Sequence, residues 1–210
     1  ESFDSQAWSE ILCQSFNFNA KQKKRGSFLH EKTIEQILSH ARSSFKEKYL
    51  GKTLSWSQEA SFNRGSFATI LGLIDHGSTI EIFSVGDSVA VWNQNDRLTM
   101  LSMHKDYNFN KKPTLLSTLC SEKESFFPNF GKDWDVKKLK KKEIKNDELF
   151  LLTDAVASRI IEISIQNTVD DAINILKKND QELKAWINKE KNSGLLKKDD
   201  YTIVWVELNE

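Results

Sequence analysis

Three acidic turns are the parts of this 210-residue chain whose residue types and positions could do chemistry. Asp154 follows an apolar run, Asp199 and Asp200 precede another, and Asp87 stands in a Val-Gly-Asp-Ser turn. A carboxylate at the edge of a buried sheet is costly unless it is solvated, hydrogen-bonded or bound to a cation. Carboxylates that converge favour a hard divalent ion with oxygen ligands. The three turns therefore predict a metal site if the fold brings them together.

Each of these carboxylates also has a purely structural interpretation. Asp154 could cap a following helix, a role worth about 0.5–2 kcal/mol. Asp199 and Asp200 could be ordinary turn residues in front of a strand, and Asp87 after a glycine suits a tight turn. Taken one at a time, the structural interpretations are at least as good as metal binding. The residues around the turns have to decide between them.

The periodicity of the apolar residues predicts the elements that would position these turns. Helical spacing covers residues 5–16, 30–49, 54–62, 169–177 and 181–191. Runs typical of β-strands cover residues 66–75, 79–85, 89–92, 98–103, 134–144, 148–153 and 201–206. Residues 104–133 have no clear period and predict a long surface excursion. The order predicts one α+β domain, with helices packed on antiparallel sheets.

The composition narrows the possible partners. The chain has 30 Lys and Arg residues against 30 Asp and Glu residues, so its zero net charge gives no reason to expect nucleic acid or an anionic membrane. Its longest apolar runs are far shorter than the roughly 20 residues of a membrane span. Cys13 and Cys120 form neither a disulfide framework nor a CxxC metal pattern, which favours a cytoplasmic location.

The basic run of residues 137–142 is compatible with two different roles. A nucleic-acid patch would be rich in lysine, but the neutral net charge and the lack of interleaved aromatic residues argue against it. Lysines also protect the edge strand of a sheet from pairing with other chains, and this is the role that we expect. If the run instead borders a cleft, it would attract phosphorylated protein.

Four stretches of the chain resemble motifs of the metal-dependent protein phosphatases of the 2C type, especially the divergent bacterial members. They are similar to the family's G-[ST]-x-[AC]-T strand, its VGDS turn, its strand ending in TDA, and its D-[DN]-x-T turn. The four matching stretches are Gly65–Leu73, Phe83–Ser88, Leu149–Ala155 and Lys198–Ile203. The resemblance implies two packed antiparallel β-sheets flanked by helices, an αββα sandwich, in one domain over residues 1–210.

The resemblance also implies an activity and a set of metal ligands. Family members bind two Mn²⁺ or Mg²⁺ ions, and a metal-bound water attacks the phosphorus of phosphoserine or phosphothreonine in a protein substrate. Cations are needed because a phosphate monoester dianion repels hydroxide. Asp154 and Asp199 match metal-binding aspartates, and Asp87 matches an acid that in some members helps hold a third ion. Asp200 falls where many members have Asn. Ser158 falls where many members have a further acid.

The start of the chain departs from the family pattern. The family's Asp-Gly turn, whose Asp bridges both metals, would come just before Glu1-Ser2-Phe3-Asp4. We therefore expect a domain whose N-terminal strands, Asp-Gly turn and phosphate-contacting Arg are missing, and a monomer that by itself binds metal weakly and turns over poorly. Two alternatives stay open: a catalytically weak phosphatase-like module that binds a partner or senses a ligand, and a hydrolase of small phosphoesters.

Overall fold

The computed structural model describes residues 3–22, 31–101, 113–119 and 135–208. Within these ranges the α-helices are α1 (Ser5–Gln22), α2 (Glu31–Tyr49), α3 (Trp56–Arg64), α4 (Asp154–Gln166), α5 (Val169–Leu176) and α6 (Asp180–Asn192). The strands are β1 (Phe67–Ala68), β2 (Ile70–Asp75), β3 (Thr79–Val85), β4 (Val89–Gln94), β5 (Arg97–Leu101), β6 (Leu116–Ser117), β7 (Asp135–Lys140), β8 (Glu148–Leu152) and β9 (Ile203–Glu207). Two short 3₁₀ helices, Lys141–Glu143 and Lys145–Asp147, separate β7 from β8.

The strands form two principal antiparallel sheets. One has the order β2-β3-β7 and the other the order β5-β4-β8-β9, and every neighbouring pair is antiparallel. A small two-stranded ladder of β1 and β6 lies beside them. The predicted α+β architecture of two packed antiparallel sheets flanked by helices is confirmed. None of the helices in the described ranges has the length and apolar character that crossing a membrane requires.

Strands β3 and β4 are buried on both faces, which is why they read as nearly continuous apolar runs. In β3, Ile80 and Ile82 belong to the core between the sheets, whereas Phe83 and Val85 pack against the α1 and α2 side. Strand β4 alternates in the same way, with Trp92 in the core between the sheets and its odd-numbered valines facing α4 and α5. Successive side chains point to opposite faces, so one strand serves two cores. The layers are therefore helices, sheet, sheet and helices.

Most predicted elements occur with boundaries shifted by a few residues, and β3 matches its predicted range of 79–85. The sequence predicts two helices after Asp154, but the structure has three, and the additional helix α4 begins at Asp154 itself. Residues 66–75 form two strands rather than one, because β1 pairs with β6 and β2 pairs with β3. Of the predicted excursion at 104–133, only residues 113–119 lie within the described residues, and they contain β6.

Candidate functional site

The strand register places the three predicted acidic turns at one end of the four-stranded sheet. Val89 of β4 pairs with Leu152 of β8, and Leu152 pairs in turn with Ile203 of β9. Asp87 comes just before the first of these residues, Asp154 comes just after the second, and Asp199 comes just before the third. Since neighbouring strands run in opposite directions, all three acidic residues lie beyond the same end of the sheet.

Asp154 and Asp199 converge on a single cation, the ammonium group of Lys197. Its Nζ lies 3.5 Å from Asp154 Oδ2 and 3.8 Å from Asp199 Oδ2. These two oxygens are therefore at most 7.3 Å apart, the sum of 3.5 and 3.8 Å. Two metal ions about 3.5–4 Å apart, each about 2.1 Å from its oxygen ligand, span about 8 Å between outer oxygens. The upper limit on the separation of the two carboxylates thus lies within the span of a site for two metal ions.

The two carboxylates differ in their exposure to solvent. The side chain of Asp154 is 12% exposed, whereas those of Asp199 and Lys197 are 44% and 55% exposed. Asp154 is the first residue of α4, and Thr153 rather than Asp154 is the N-cap. The carboxylate at this position is stabilised by the positive end of the helix dipole. Asp154 therefore stabilises the helix by its charge, and this role needs no capping hydrogen bond from its oxygens.

Thr153 and Tyr201 fix the turn that carries Asp199 against the turn that carries Asp154. The Thr153 hydroxyl donates to the carbonyl of Asp200 (3.0 Å) and accepts from the amide of Thr202 (3.1 Å). The Tyr201 hydroxyl donates to the carbonyl of Lys197 (2.5 Å) and accepts from the amide of Asp199 (3.4 Å). The Thr153 bonds join segments that are far apart in the sequence, and the Tyr201 bonds close the turn of residues 197–201 on itself. Together they hold the two carboxylates near each other.

Asp87 lies in the turn that connects β3 to β4 and so joins the two sheets. Gly86 has φ +112°, a backbone conformation that other residues rarely adopt, and a β-carbon there would lie 2.3 Å from Thr69 Cγ2. The Ser84 hydroxyl closes the turn by donating to the carbonyl of Ser88 at 3.0 Å. The turn therefore has a fixed shape, and the Asp87 side chain is half-buried within it.

The carboxylates of Asp154 and Asp199 suit a hard divalent cation, although they are only two ligands. Within the part of the chain that the structure describes, no group of three or more His, Cys, Asp or Glu side chains could hold a metal ion. Asp87 lies at the same end but does not complete a three-acid group with Asp154 and Asp199. Ser158, one helical turn after Asp154, supplies no carboxylate. Two carboxylates suffice for Mg²⁺-like ions, which keep several waters and use one or two protein oxygens.

A buried ion pair links the two helices that lead to the site. Arg159 Nε of α4 lies 2.6 Å from Glu190 Oε2 of α6, and Arg159 Nη1 lies 3.0 Å from Glu162 Oε2. Burial alone would lower the pKa of Arg159, but the hydrogen bonds to Glu190 and Glu162 raise it above its usual value. The guanidinium is therefore charged at any physiological pH.

The sequence alone did not single out Lys197, Thr153 or the Arg159–Glu190 pair. Lys197 stands two residues before the predicted ligand Asp199, and Thr153 stands one residue before Asp154, so adjacency was the only signal available. The contact between Arg159 and Glu190 joins residues separated by 31 positions and has no local signal. Asp200 contributes through its backbone, because its carbonyl accepts the hydrogen bond from the Thr153 hydroxyl.

Residues 137–140 of the basic run lie on the edge strand β7, as predicted, and Lys141 and Lys142 begin the 3₁₀ helix that follows. Strand β7 pairs only with β3 among the described strands, and its register sets Lys140 opposite Thr79 and Asp135 opposite Ser84. Since β3 runs from Thr79 toward the turn that holds Asp87, the lysines extend toward the far end of the sandwich. The placement favours a protected sheet edge over a basic border of the acidic site.

Comparison with known proteins identifies one family. A family model described as Protein phosphatase 2C matches residues 3–189. The catalytic domain of the serine/threonine protein phosphatase PstP in complex with two manganese ions has a similar fold, with a TM-score of 0.59, 11% identity, and coverage of 95% of this chain and 80% of that one. The serine/threonine phosphatase PstP/Ppp of Mycobacterium tuberculosis is similar with a TM-score of 0.55 and 12% identity, over 98% of this chain and 83% of that one. No curated protein sequence matches significantly.

Proposed function

The chain belongs to the protein phosphatase 2C family, and we propose that it is a metal-dependent phosphatase that hydrolyses phosphoserine and phosphothreonine in proteins. The observation that carries the proposal is the convergence of Asp154 and Asp199 on one cationic group. The solved relative with two manganese ions supports a divalent ion of the Mn²⁺ or Mg²⁺ type. We also propose that residues 1–210 belong to a single domain of this family.

In this proposal the chain's own residues build a rigid carboxylate pair. Asp154 and Asp199 would hold the ions, and Asp87 would contribute to a further, weaker site. Thr153 and Tyr201 keep the two turns in register, so the ligand oxygens need little rearrangement. When bound, the ions would neutralise the phosphate and lower the pKa of a water molecule. Lys197 has to leave the space between the carboxylates before an ion can enter it.

The test compares Mn²⁺-dependent hydrolysis of a phosphothreonine peptide by the wild-type chain and by Asp154→Asn. Asp180→Asn is a matched control, because Asp180 is also the first residue of a helix and is exposed. Both changes remove one negative charge near a helix N-terminus, but only Asp154 belongs to the carboxylate pair. Changes to residues that only orient metal ligands cost about 10–100-fold in metal affinity, so loss of a ligand itself should cost at least about 100-fold in Mn²⁺ affinity.

Two results would contradict the proposal. Equal Mn²⁺ affinity of wild type and Asp154→Asn would remove Asp154 from the metal site. A parallel loss in Asp180→Asn would mean that the effect comes from helix stability rather than from ligation. Measurement of affinity beside turnover is needed, because the chain could bind ions and still hydrolyse the peptide slowly.

A phosphatase-like binding module is the second candidate function, and one observation supports it. No group of three acidic or other metal-ligating side chains forms within the described ranges. A module of this kind would bind Mn²⁺ weakly or not at all, and would show the same peptide turnover with and without the ion. A phosphatase would lose its turnover when a chelator removes the ion.

A further inference from the structure

The Arg159–Glu190 pair connects the helix that carries one predicted metal ligand with the segment that carries the other. Arg159 stands five residues after Asp154 on α4, and Glu190 stands in the last turn of α6, nine residues before Asp199. The side chains of Arg159 and Glu190 are 11% and 9% exposed, and their atoms Nε and Oε2 are 2.6 Å apart. Breaking a buried pair at one partner leaves an uncompensated charge, so this contact is costly to lose.

Glu190 also fixes the path of the chain after α6. Its backbone carbonyl accepts from the amides of both Leu195 (2.9 Å) and Leu196 (3.2 Å), and Gly194 reverses the chain direction with φ +71°. This is the hydrogen-bond pattern that ends many helices. Leu196 is buried, and the next residue is Lys197. The side chain of Glu190 is therefore held by α4, and its carbonyl holds the start of the segment that leads to Asp199.

We propose that the Arg159–Glu190 pair is a positioning device for the metal site, which sets the distance between the carboxylates of Asp154 and Asp199. The proposal rests on the proposed function, because it assigns a role at that same site. Metal–oxygen bonds require positions accurate to a few tenths of an ångström. Without the pair, residues 194–200 would keep the bonds of Thr153 and Tyr201 but would lose their anchor on α4. The Thr153 bonds would still hold Asp200 and Thr202, but Asp199, which precedes them, would sample several positions relative to Asp154.

The experiment uses four variants of the whole chain. Arg159→Met and Glu190→Leu each break the pair, and the double variant removes both charges, which avoids an unpaired buried charge and keeps a foldable protein if a single variant unfolds. Glu162→Gln is the matched control, since Glu162 contacts the same guanidinium at 3.0 Å but is 51% exposed and lies on α4 itself. Mn²⁺ affinity by electron paramagnetic resonance and amide hydrogen exchange of residues 194–202 are the two readouts.

We expect each single variant to bind Mn²⁺ about 10–100-fold more weakly than wild type, as for other residues that orient metal ligands. The loss of Mn²⁺ affinity in the double variant should not exceed the larger of the two single-variant losses, because the two residues act through one another. Exchange of the Leu195, Leu196 and Asp200 amides should accelerate in all three, and Glu162→Gln should resemble wild type in both readouts. Affinity is measured on folded protein, well below the unfolding midpoint.

Two outcomes would overturn the inference. Unchanged Mn²⁺ affinity with a lowered unfolding midpoint would assign the pair a purely stabilising role. Additive losses in the double variant would show that the residues act separately. If wild type itself binds no Mn²⁺, the proposed function fails, and exchange of residues 194–202 still decides whether the pair anchors the segment: unchanged exchange in the variants would refute it.

Discussion

Replacement of Lys197 by methionine removes the cation that lies between Asp154 and Asp199 and keeps an unbranched side chain of similar length. In the wild type, the Lys197 Nζ approaches the two carboxylates to 3.5 and 3.8 Å. A divalent ion that enters the same space has to displace this ammonium. The lysine therefore acts as an internal competitor, and its removal should strengthen metal binding.

The distances and exposures set the size of the effect. Two unit charges about 4 Å apart attract by about 1 kcal/mol in water, and exposed pairs measure about 0–1 kcal/mol each. Since more than half of the Lys197 side chain is exposed, we assign about 1 kcal/mol to both contacts together. A difference of 1.4 kcal/mol is tenfold in Kd. Lys197→Met should therefore bind Mn²⁺ about 3- to 10-fold more tightly than wild type.

Isothermal titration with MnCl₂ at low ionic strength measures this change directly. Lys198→Met is the matched control, because Lys198 is the exposed neighbour and is absent from the ion pairs with Asp154 and Asp199. The control should change Kd by less than about twofold, since only long-range charge differs. An unchanged or weaker affinity in Lys197→Met would refute the competition. Equal tightening in both variants would reduce it to a general charge effect.

Two further changes test the Asp87 turn and the start of helix α1. Gly86→Ala should destabilise the fold by about 1–3 kcal/mol in urea unfolding, because φ is +112° and the new β-carbon would lie 2.3 Å from Thr69 Cγ2. Adding Thr69→Ser removes Cγ2 but leaves the Cβ of residue 69 at 2.6 Å, so it should recover only part of the loss, and full recovery would contradict the strain argument. Asp4→Asn should lower Tm at pH 7 by about 2–4 °C. The pKa of Asp4 is lowered, first by the hydrogen bond from Tyr49, so the stabilisation is present above the ordinary value of 3.8 and is lost as pH falls through the folded pKa; a deficit that persists below that pH would contradict this assignment.

Local sequence patterns predicted a strand well where clear turn residues bound it on both sides. Strand β3 has the predicted ends because turn residues, among them Gly77 and Gly86, bound an apolar run that is buried on both faces. Helix α4 did not emerge as a separate element, although Val156, Ile160 and Ile163 have helical spacing. Only Thr153 separates it from β8, and no glycine or proline marks the change from strand to helix; the possible cap, Asp154, is also the predicted metal ligand.

The candidate site was predictable as a set of residue types but not as a set of contacts. Asp154 and Asp199 could be chosen because they border apolar strands, and the antiparallel register of β8 and β9 brings their turns to one edge. The position of Lys197 between them depends on the turn that Tyr201 closes, which no period in the sequence encodes. Contacts between segments distant in the sequence are set by packing, and single-sequence patterns carry no information on them.

The short ladder of β1 and β6 shows the same limit. Each strand has two residues, and their partners are 48 to 50 positions apart. The buried Ser66 amide donates to the Thr118 hydroxyl at 2.9 Å, and the Thr118 amide donates to the Ser66 carbonyl at 3.0 Å, which continues the pairing. A two-residue run has no measurable period, so only the assembled fold identifies it.

Anomalous diffraction at the manganese edge, from crystals grown with MnCl₂, tests most directly whether Asp154 and Asp199 share a hard cation. We expect an anomalous peak about 2.0–2.4 Å from a carboxylate oxygen of each residue, with the Lys197 ammonium displaced from its present contacts at 3.5 and 3.8 Å. Crystals with manganese bound elsewhere, and with Lys197 still between the two carboxylates, would contradict it.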